Sequence, residues 1–351
     1  MKAALWYAAK DIRVEDIDEP QVKPGHVKLK VAWTGICGSD LHEYLAGPIF
    51  IPADEKHPLS GEKAPITMGH EYCGEITELG DGVEGFEVGD RVAIEPIYHC
   101  GKCDACRDGL YNLCQDMGFM GLSGGAAGFA GYSVVPAGMA HKMPDGLSME
   151  QGALVEPAAV ALHAVRVSAL KAGDTAAVFG AGPIGLLVVE ALRAAGASKV
   201  YVVEPSPERR EKAMELGATV ALDPGEVDVV AEIRDASGGG VNVAFEVTGV
   251  SAVFKQCIDV TRYEGQALIV SIWEGEASLN PNDVVLSERN IKGTIGYRNV
   301  YPAVMELMTR GYFQAENLVT KRIELDDIVA EGFDVLSSEK SQVKILVKAP
   351  A

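Results

Sequence analysis

Residues 175–204 read TAAVFGAGPIGLLVVEALRAAGASKVYVVE, and this stretch decides the fold class of the chain. An apolar run typical of a strand is followed by an amphipathic helical pattern and a second apolar run, which predicts a βαβ unit. Three more strand-like runs follow at 218–223, 241–249 and 266–272. Their near-continuous apolar character is typical of strands that helices cover on both faces. We therefore predict an α/β fold with a doubly wound parallel sheet.

The first turn of this unit carries Gly180, Gly182 and Gly185 in the spacing GxGxxG. In a chain with 39 glycines, a chance match or an ordinary helix start would also explain the spacing. The motif stands between a strand and a helix with Pro183 in its first turn, where helix N–H groups can bind a pyrophosphate. This context favours a dinucleotide-binding Rossmann domain over residues 157–295.

A carboxylate, Glu204, follows at the end of the second strand. A carboxylate about twenty residues after the motif accepts hydrogen bonds from the adenosine ribose and repels a 2'-phosphate, so it favours NAD over NADP. Arg209 and Arg210 lie one helical turn further on and could reach a phosphate or lie in water. A solvated charge at a strand end is the ordinary alternative for Glu204. We predict that the cofactor is NAD.

Four cysteines in the run CGKCDACRDGLYNLC predict a structural zinc site. They are Cys100, Cys103, Cys106 and Cys114. Four thiolates on one ion leave no open position for a substrate, so such a site is structural rather than catalytic. Free thiols and disulfides are the alternatives, but disulfides between residues so close in sequence are strained. Cys73 and Cys257 stand in apolar patterns that are typical of core residues.

Composition narrows the class of protein. The 351 residues suffice for two domains, and the hydrophobic and charged fractions of 48% and 23% are those of a globular protein. A formal net charge of -19 argues against general affinity for nucleic acid or anionic membranes. No apolar run approaches the roughly 20 residues that cross a bilayer, and no secretory leader pattern is seen. We expect a cytoplasmic protein with a small-molecule substrate.

The N-terminal part of the chain shows short strand-like runs separated by Gly, Pro and Asp turns, which is an all-β pattern. Side chains that could bind metal or transfer protons cluster in the segments GICGSDLHEY, TMGHEYCGE and GALVEPAAVALHAV. The candidates are Cys37, Ser39, Asp40, His42, His70, Glu71 and Glu156. Each of them alone is more often a core residue or a satisfied polar side chain.

Together and in this order, these segments, the cysteine run and GAGPIGLL resemble the zinc-dependent medium-chain dehydrogenase/reductase family over the whole chain. The resemblance implies a GroES-like, β-rich catalytic domain over residues 1–156, the Rossmann domain over 157–295, and a return of 296–351 to the catalytic domain. Where the alcohol branch of the family has a cysteine, this chain has Glu156, and in this it resembles the polyol and butanediol branch. The activity implied is interconversion of 2,3-butanediol and acetoin, and of acetoin and diacetyl, by hydride transfer with NAD(H).

By residue, the resemblance implies that Cys37, His70 and Glu156 hold a catalytic zinc, with Glu71 as the alternative ligand. With the cysteine run this makes two zinc ions per subunit. Three protein ligands leave a fourth position for the substrate oxygen, whose proton zinc makes easier to remove.

The resemblance also implies a path for the proton of the substrate hydroxyl. Ser39 receives the proton, and His42 delivers it to solvent by way of the nicotinamide ribose. Asp40 is expected to orient this loop or a zinc ligand.

Cofactor and substrate contacts are implied less directly. Expected NAD contacts are Gly180, Gly182, Pro183, Ile184, Gly185, Glu204, Arg209, Thr248, Gly249, Ser271 and Ile272. Thr248 and Ser271 could instead serve only as caps or turns. For the substrate pocket we expect Ile49, Phe50, Phe119 and Trp273, apolar side chains that could equally be ordinary core.

Two other functions remain open. A sorbitol-like polyol or threonine dehydrogenase shares these motifs, whereas a non-catalytic NAD-binding protein would need neither zinc ligands nor Ser39 and His42. We expect a homo-oligomer, either a dimer or a tetramer. The run NIKGTIGY at 290–297 could pair between subunits as an edge strand, or it could be covered within one chain.

Overall fold

The structure, a computed structural model, describes residues 1–273, 275–339 and 341–350 and consists of two compact units. The first unit contains Met1–Glu156, Tyr301–Thr309 and the segment that begins at Ala315. The second contains Pro157–Val300 and Arg310–Gln314. The stretch after residue 295 is thus shared between the units. Residues 310–314 remain with the second unit, where the Gln314 amide donates to the buried carboxylate of Glu190 at 2.7 Å.

The strands and helices are numbered along the chain. The strands are β1 (Lys2–Ala8), β2 (Asp11–Asp16), β3 (His26–Gly35), β4 (Ile66–Thr67), β5 (Glu71–Leu79), β6 (Arg91–Ile94), β7 (Ile97–Tyr98), β8 (Gly118–Phe119), β9 (Tyr132–Pro136), β10 (Ala140–Lys142), β11 (Thr175–Phe179), β12 (Lys199–Val203), β13 (Val220–Leu222), β14 (Val241–Glu246), β15 (Thr261–Ile269), β16 (Asn290–Gly293), β17 (Val319–Glu324) and β18 (Lys344–Lys348). The α-helices are α1 (Gly38–Ala46), α2 (Asp104–Arg107), α3 (Met149–Ala153), α4 (Val155–Val167), α5 (Pro183–Ala194), α6 (Pro207–Glu215), α7 (Val229–Ser237), α8 (Ser251–Asp259), α9 (Asn282–Val285), α10 (Tyr301–Thr309) and α11 (Asp334–Ser338).

The main sheet of the first unit explains how distant segments meet. Its strand order is β10-β6-β5-β3-β18-β17, and β9 also pairs with β3. Strands β3 and β5 are antiparallel, with Gly35 at the end of β3 opposite Glu71 at the start of β5. Strand β18 pairs on the other side of β3, with Leu346 opposite Gly35. Residues just after β3, just before β5 and at the start of β18 are therefore neighbours.

The second unit is built on a six-stranded sheet in the order β13-β12-β11-β14-β15-β16. Neighbouring strands are parallel throughout, which confirms the predicted doubly wound fold. The chain runs outward from β11 to β13 and then crosses to β14, so the order reverses between β11 and β14. Ligands of open parallel sheets bind at the carboxyl ends of the strands beside such a reversal.

The burial pattern of α5 explains its place against this sheet. Four successive apolar residues of α5 are fully buried, which is typical of a helix packed against a sheet. They are Leu186, Leu187, Val188 and Val189. Among the residues that the structure describes, no helix combines the length and apolar character that a membrane span requires.

Candidate active site and nucleotide-binding turn

The sheet register brings three predicted site residues together in the first unit. One ligand atom each from Cys37, His70 and Glu71 lies within 4.8 Å of the others. Cys37 precedes α1, and its N–H donates to the carboxylate of Asp40 at 2.9 Å, which fixes the first turn of that helix. His70 and Glu71 are buried, and Cys37 is half-buried. A thiolate, an imidazole and a carboxylate form a donor set that suits zinc.

The surroundings of His70 are those of a metal ligand. Its Nδ1 lies 3.4 Å from Asp40 Oδ1, and its Nε2 lies 3.3 Å from Ser39 Oγ. Burial alone would lower the pKa of His70, but Asp40 and Cys37 hold that pKa well above its ordinary value. The same negative charges favour a divalent cation. Nδ1 faces a carboxylate oxygen, so Nε2 is the nitrogen that can face the metal, as is common at zinc sites.

Glu71 has a partner that the sequence did not predict. Both of its carboxylate oxygens accept hydrogen bonds from Lys344 Nζ, at 2.8 and 2.7 Å, and Lys344 also donates to the Ile36 carbonyl oxygen at 3.1 Å. Burial alone would lower the pKa of Lys344, but Glu71 and Cys37 raise that pKa above its ordinary value. A Cβ atom at Gly35 would clash with the Glu71 carboxylate, so glycine is favoured there.

We predict that Lys344→Met destabilises the protein strongly. It would leave the Glu71 carboxylate buried without its cation, a loss of about 3–5 kcal/mol in the free energy of unfolding. Urea unfolding of the zinc-loaded protein measures it. Lys348→Met on the same strand is the control, because its ion pair with Glu324 is exposed and should contribute at most about 1 kcal/mol. Equal losses of stability in Lys344→Met and Lys348→Met would contradict the prediction. So would a double variant, Lys344→Met/Glu71→Gln, that is no more stable than Lys344→Met alone.

The structure also places four other predicted site residues, three of them in the first unit. Glu156 is buried in the first turn of α4 and is not part of the set within 4.8 Å, although its charge contributes to raising the pKa of Lys344. His42 is exposed and lies one helical turn after Ser39 on α1. Phe119 packs edge-on against His70, with the ring centroids 6.1 Å apart. The second-unit residue Trp273 packs edge-on against Phe254.

The four cysteines of the run converge as their spacing predicts. Their sulfurs lie within 4.8 Å of one another, and Cys100 Sγ and Cys106 Sγ are 4.0 Å apart. Tetrahedral zinc with bonds of about 2.3 Å places its sulfurs roughly 3.8 Å apart, so the spacing fits. All seven cysteines are free thiols, which rules out the disulfide alternative in this structure.

Main-chain amides around the cysteines stabilise thiolates. The N–H groups of Cys103 and Cys100 donate to the sulfurs of Cys100 and Cys114, each at 3.3 Å. Amide hydrogen bonds from Gln115 and Cys106 lower the pKa of Cys103 to about 6. Desolvation, helped by the neighbouring thiols, raises the pKa of Cys106 to about 12. Four sulfurs so close together can all be anionic only around a cation, which zinc would supply.

The glycine-rich turn of the second unit has the shape of a phosphate site. Gly180 has φ +101, and a Cβ there would lie 2.8 Å from Thr248. A Cβ on Gly185 would clash with the Gly180 carbonyl oxygen, so this glycine permits close helix packing. Gly182 precedes α5, and a Cβ there would meet no protein atom within 4 Å. The open space beside Gly182 therefore suits a ligand at the N-terminus of α5.

Glu204 lies at this turn. It is 6% exposed, and its oxygens accept hydrogen bonds from the Ala181 amide at 2.8 Å and the Ser206 amide at 3.0 Å. Arg210 donates to the Glu204 carbonyl oxygen and pairs with Asp223, each at 2.8 Å. Arg210 is thus held by main chain and a carboxylate. Glu204 is fixed against the glycine-rich turn by main-chain donors rather than solvated at a strand end.

Another carboxylate, Glu246, organises the loops that follow β14 and β15. The sequence did not predict this residue. It ends β14, is fully buried, and accepts hydrogen bonds from the amides of Thr248 and Gly249 at 2.7 and 3.0 Å. The hydroxyl of Ser271, after β15, bonds its other oxygen. Gly249 also approaches Ile272, whose side chain is 54% exposed. The predicted cofactor residues after β14 and β15 thus form one cluster at the carboxyl edge of the sheet.

Comparison with known proteins places the chain in a family. A family model described as zinc-binding dehydrogenase matches residues 183–310, and one described as alcohol dehydrogenase GroES-like domain matches residues 23–145. The (R,R)-butanediol dehydrogenase of Bacillus subtilis is 60% identical over 99% of both chains. The sorbitol dehydrogenase of the same organism is 35% identical over 99% of this chain and 97% of its own.

Solved structures agree with these matches. The crystal structure of 2R,3R-butanediol dehydrogenase from Bacillus subtilis superposes with a TM-score of 0.95 and covers 99% of both chains, at 60% identity. A putative zinc-binding dehydrogenase from Sinorhizobium meliloti 1021, solved with NADP, gives a TM-score of 0.90 at 32% identity and covers 99% of this chain and 98% of that one. The chain therefore belongs to the family of zinc-dependent medium-chain alcohol dehydrogenases.

Proposed function

We propose that the protein interconverts 2,3-butanediol and acetoin, and acetoin and diacetyl, by hydride transfer with NAD(H). The observation that carries the proposal is the cluster of Cys37, His70 and Glu71 beside Ser39, in a chain 60% identical to a butanediol dehydrogenase along nearly its whole length. The cluster could hold a metal ion, and the Ser39 hydroxyl lies next to it. The identity favours a four-carbon diol among the alcohols of the family.

Cys37 and His70 would hold the catalytic zinc, with a glutamate as the third ligand. Zinc bound here would supply a Lewis acid that makes an alcohol easier to deprotonate, and NAD would accept the hydride. We assign Glu156 as the third ligand, because Lys344 already neutralises Glu71 by two hydrogen bonds. Glu71 is then the alternative ligand, available if its bonds to Lys344 break.

Ser39 and His42 are suited to move the substrate proton. Ser39 Oγ lies 3.3 Å from His70 Nε2, so the hydroxyl is next to the proposed substrate position. His42 is exposed one turn further along α1, where its imidazole can pass a proton to water. Helix α1 therefore places the half-buried hydroxyl of Ser39 and the exposed imidazole of His42 one turn apart. Asp40 accepts the Cys37 amide at the helix start, and its other oxygen lies 3.4 Å from His70 Nδ1.

For the cofactor, membership of the family supports a nicotinamide dinucleotide, and we propose NAD specifically. Glu204 follows β12 and binds the glycine-rich turn, so we propose that it contacts the adenosine ribose, where its negative charge would repel a 2'-phosphate. The proposed contacts in addition to Glu204 are Gly180, Gly182, Pro183, Ile184, Gly185, Arg209, Thr248, Gly249, Ser271 and Ile272. The carboxylate of Glu246 supports the loops that carry the last four of these.

We predict that Glu204→Ala narrows the preference for NAD over NADP. Removal of the charge ends its repulsion of the 2'-phosphate and its bonds to the ribose, so the ratio of kcat/KM for NAD to that for NADP should fall by roughly 10- to 100-fold. Initial rates with saturating diol and varied cofactor measure this ratio. Glu208→Ala, an exposed neighbour on α6, is the control and should leave the ratio unchanged. An unchanged ratio in Glu204→Ala would place the ribose contact elsewhere.

The cysteine run is proposed to bind a second, structural zinc, which makes two ions per subunit. We also propose a homo-oligomer, a dimer or a tetramer, in which the exposed edge strand β16 is a candidate for pairing between subunits. The proposed location is the cytoplasm.

Turnover with a panel of alcohols tests the function. The protein is incubated with NAD and, separately, with each 2,3-butanediol stereoisomer, sorbitol and threonine, while NADH formation is followed. We expect the highest kcat/KM with a butanediol stereoisomer. A preference for sorbitol or threonine would assign the chain to another branch of the family, and no turnover with any of them would contradict an enzymatic role.

A further inference from the structure

Glu43 is a buried carboxylate that the proposed chemistry does not use. It lies in α1, four residues after Ser39, and is fully inaccessible to solvent. Its side chain accepts hydrogen bonds from three successive main-chain amides, those of Ile49 at 3.0 and 3.1 Å, Phe50, and Ile51 at 3.1 Å. Hydrogen bonds from amides to an ionised carboxylate are stronger than those between neutral groups. One side chain therefore fixes a whole loop.

The main chain of Glu43 ties the same loop from its other end. Its carbonyl oxygen accepts hydrogen bonds from the Gly47 amide at 3.0 Å and from the Trp6 indole at 2.9 Å. A Cβ at Gly47 would lie 2.8 Å from the Trp6 ring, so only glycine lets the chain turn there. Residues 47–51, which we call the Glu43 loop, are thus held at both ends by one residue.

The side chains of the Glu43 loop divide into two kinds. Ile51 is 3% exposed and packs in the core of the first unit, which anchors the loop. Ile49 and Phe50 are 46% and 41% exposed, although both are large and apolar. Their amides turn inward to Glu43 while their side chains turn outward. The loop therefore presents two apolar side chains from a fixed backbone.

Helix α1 connects this loop rigidly to the metal cluster. Cys37 caps the helix, and Glu43 lies about 9 Å further along its axis, given 1.5 Å per residue. Sites built on regular elements hold their side chains more accurately than free loops do. The position of Ile49 and Phe50 relative to Cys37 and Ser39 is thus set by one short helix and one carboxylate.

We propose that Glu43 is a positioning residue that sets substrate selectivity by holding Ile49 and Phe50 as one wall of the diol site. The inference rests on the proposed function. A loop whose three amides all bind one buried carboxylate cannot retreat from a larger diol, so the loop's rigidity limits the size of the accepted carbon chain. Loosening the loop should admit larger substrates and weaken the preference for the four-carbon one.

The first measurement tests the attachment and needs no catalysis. Glu43→Gln keeps the shape but removes the charge and turns an NH₂ group toward one of the three amides. Amide hydrogen exchange of Ile49, Phe50 and Ile51 in the zinc-loaded protein should accelerate by roughly tenfold or more. Glu55→Gln, an exposed glutamate just beyond the loop, is the matched control and should leave exchange unchanged. Unchanged exchange in Glu43→Gln would overturn the inference.

The second measurement tests selectivity. We expect the ratio of kcat/KM for 2,3-butanediol to that for 3,4-hexanediol to fall by about tenfold in Glu43→Gln, with KM for NAD within about twofold of the parent value. Phe50→Ala, which removes an exposed side chain and should fold normally, is expected to shift the ratio in the same direction. Faster exchange with an unchanged ratio would show a purely structural role and overturn the proposal.

The variants separate this inference from the proposed function. If the parent protein oxidises neither diol, the proposed function fails. If the parent prefers 2,3-butanediol and the variants are slowed equally with both diols, only the role of Glu43 is contradicted. If Glu43→Gln does not fold, Phe50→Ala still decides, because an unchanged diol ratio in that variant would exclude the loop as a wall of the site.

Discussion

Cys37→Ser is expected to abolish diol oxidation while leaving the fold intact. Cys37 contributes the only thiolate of the proposed catalytic site, and the Lewis acid that depends on it is worth several kcal/mol of transition-state stabilisation. We therefore expect kcat/KM for 2,3-butanediol to fall by roughly 1,000-fold or more. Zinc per subunit should fall from two ions to one, and the melting temperature should change little. Initial rates, elemental analysis and thermal unfolding provide the three readouts.

Cys257→Ala is the matched control for this variant. Cys257 is also a cysteine, but it is buried in the apolar core of the second unit, and its replacement should cost some stability without loss of zinc or of selective turnover. If Cys37→Ser keeps two zinc ions and its activity, the catalytic metal cannot lie between Cys37 and His70.

Cys103→Ser should have its largest effect on stability. Loss of one ligand from the cysteine run should empty that site, and binding energy of a structural zinc is folding energy. We expect the melting temperature to fall by roughly 10 °C, while one zinc and most of kcat remain in the folded protein. Lys102→Ala in the same run is the control, because the Lys102 side chain is exposed.

The two cysteine variants must differ in kind. If Cys103→Ser abolishes turnover without loss of stability and Cys37→Ser only lowers the melting temperature, then the catalytic and structural roles assigned to the two zinc sites are reversed. Parallel thermal scans and rate measurements on both variants and both controls distinguish these cases in one experiment.

Features that depend on residues close in sequence could be predicted from the sequence. The glycine-rich turn needs only neighbouring residues to make a strand end, a tight turn and a helix start, and the cysteine run spans a single lobe. The parallel sheet also followed from the alternation of apolar runs and helical patterns. These patterns are local, so periodicity and spacing contain the information.

Contacts between distant segments could not be derived in this way. Cys37 and His70 were associated by family resemblance, since their contact depends on the register of β3 and β5. Lys344 lies 273 residues from Glu71, and its place in the apolar run VKILV gave only the weak signal of a charge inside a strand.

The buried carboxylates Glu43 and Glu246 show the same limit. Each binds the amides of a loop a few residues ahead, but the sequence does not say that these loops fold back onto the carboxylate. A glutamate followed by Thr and Gly at a strand end was the only local hint for Glu246. For Glu43, Gly47 was the hint, because a glycine after a helix allows the chain to turn back.

Metal dependence of the reaction is the most direct test of the central claim, that a Lewis-acidic ion held by Cys37 and His70 drives oxidation of the diol. The protein is stripped with a chelator, shown by elemental analysis to be free of metal, and assayed with NAD and its best butanediol stereoisomer before and after zinc is restored. We predict no measurable turnover in the stripped protein and recovery with zinc. Full turnover in verified metal-free protein would contradict the claim.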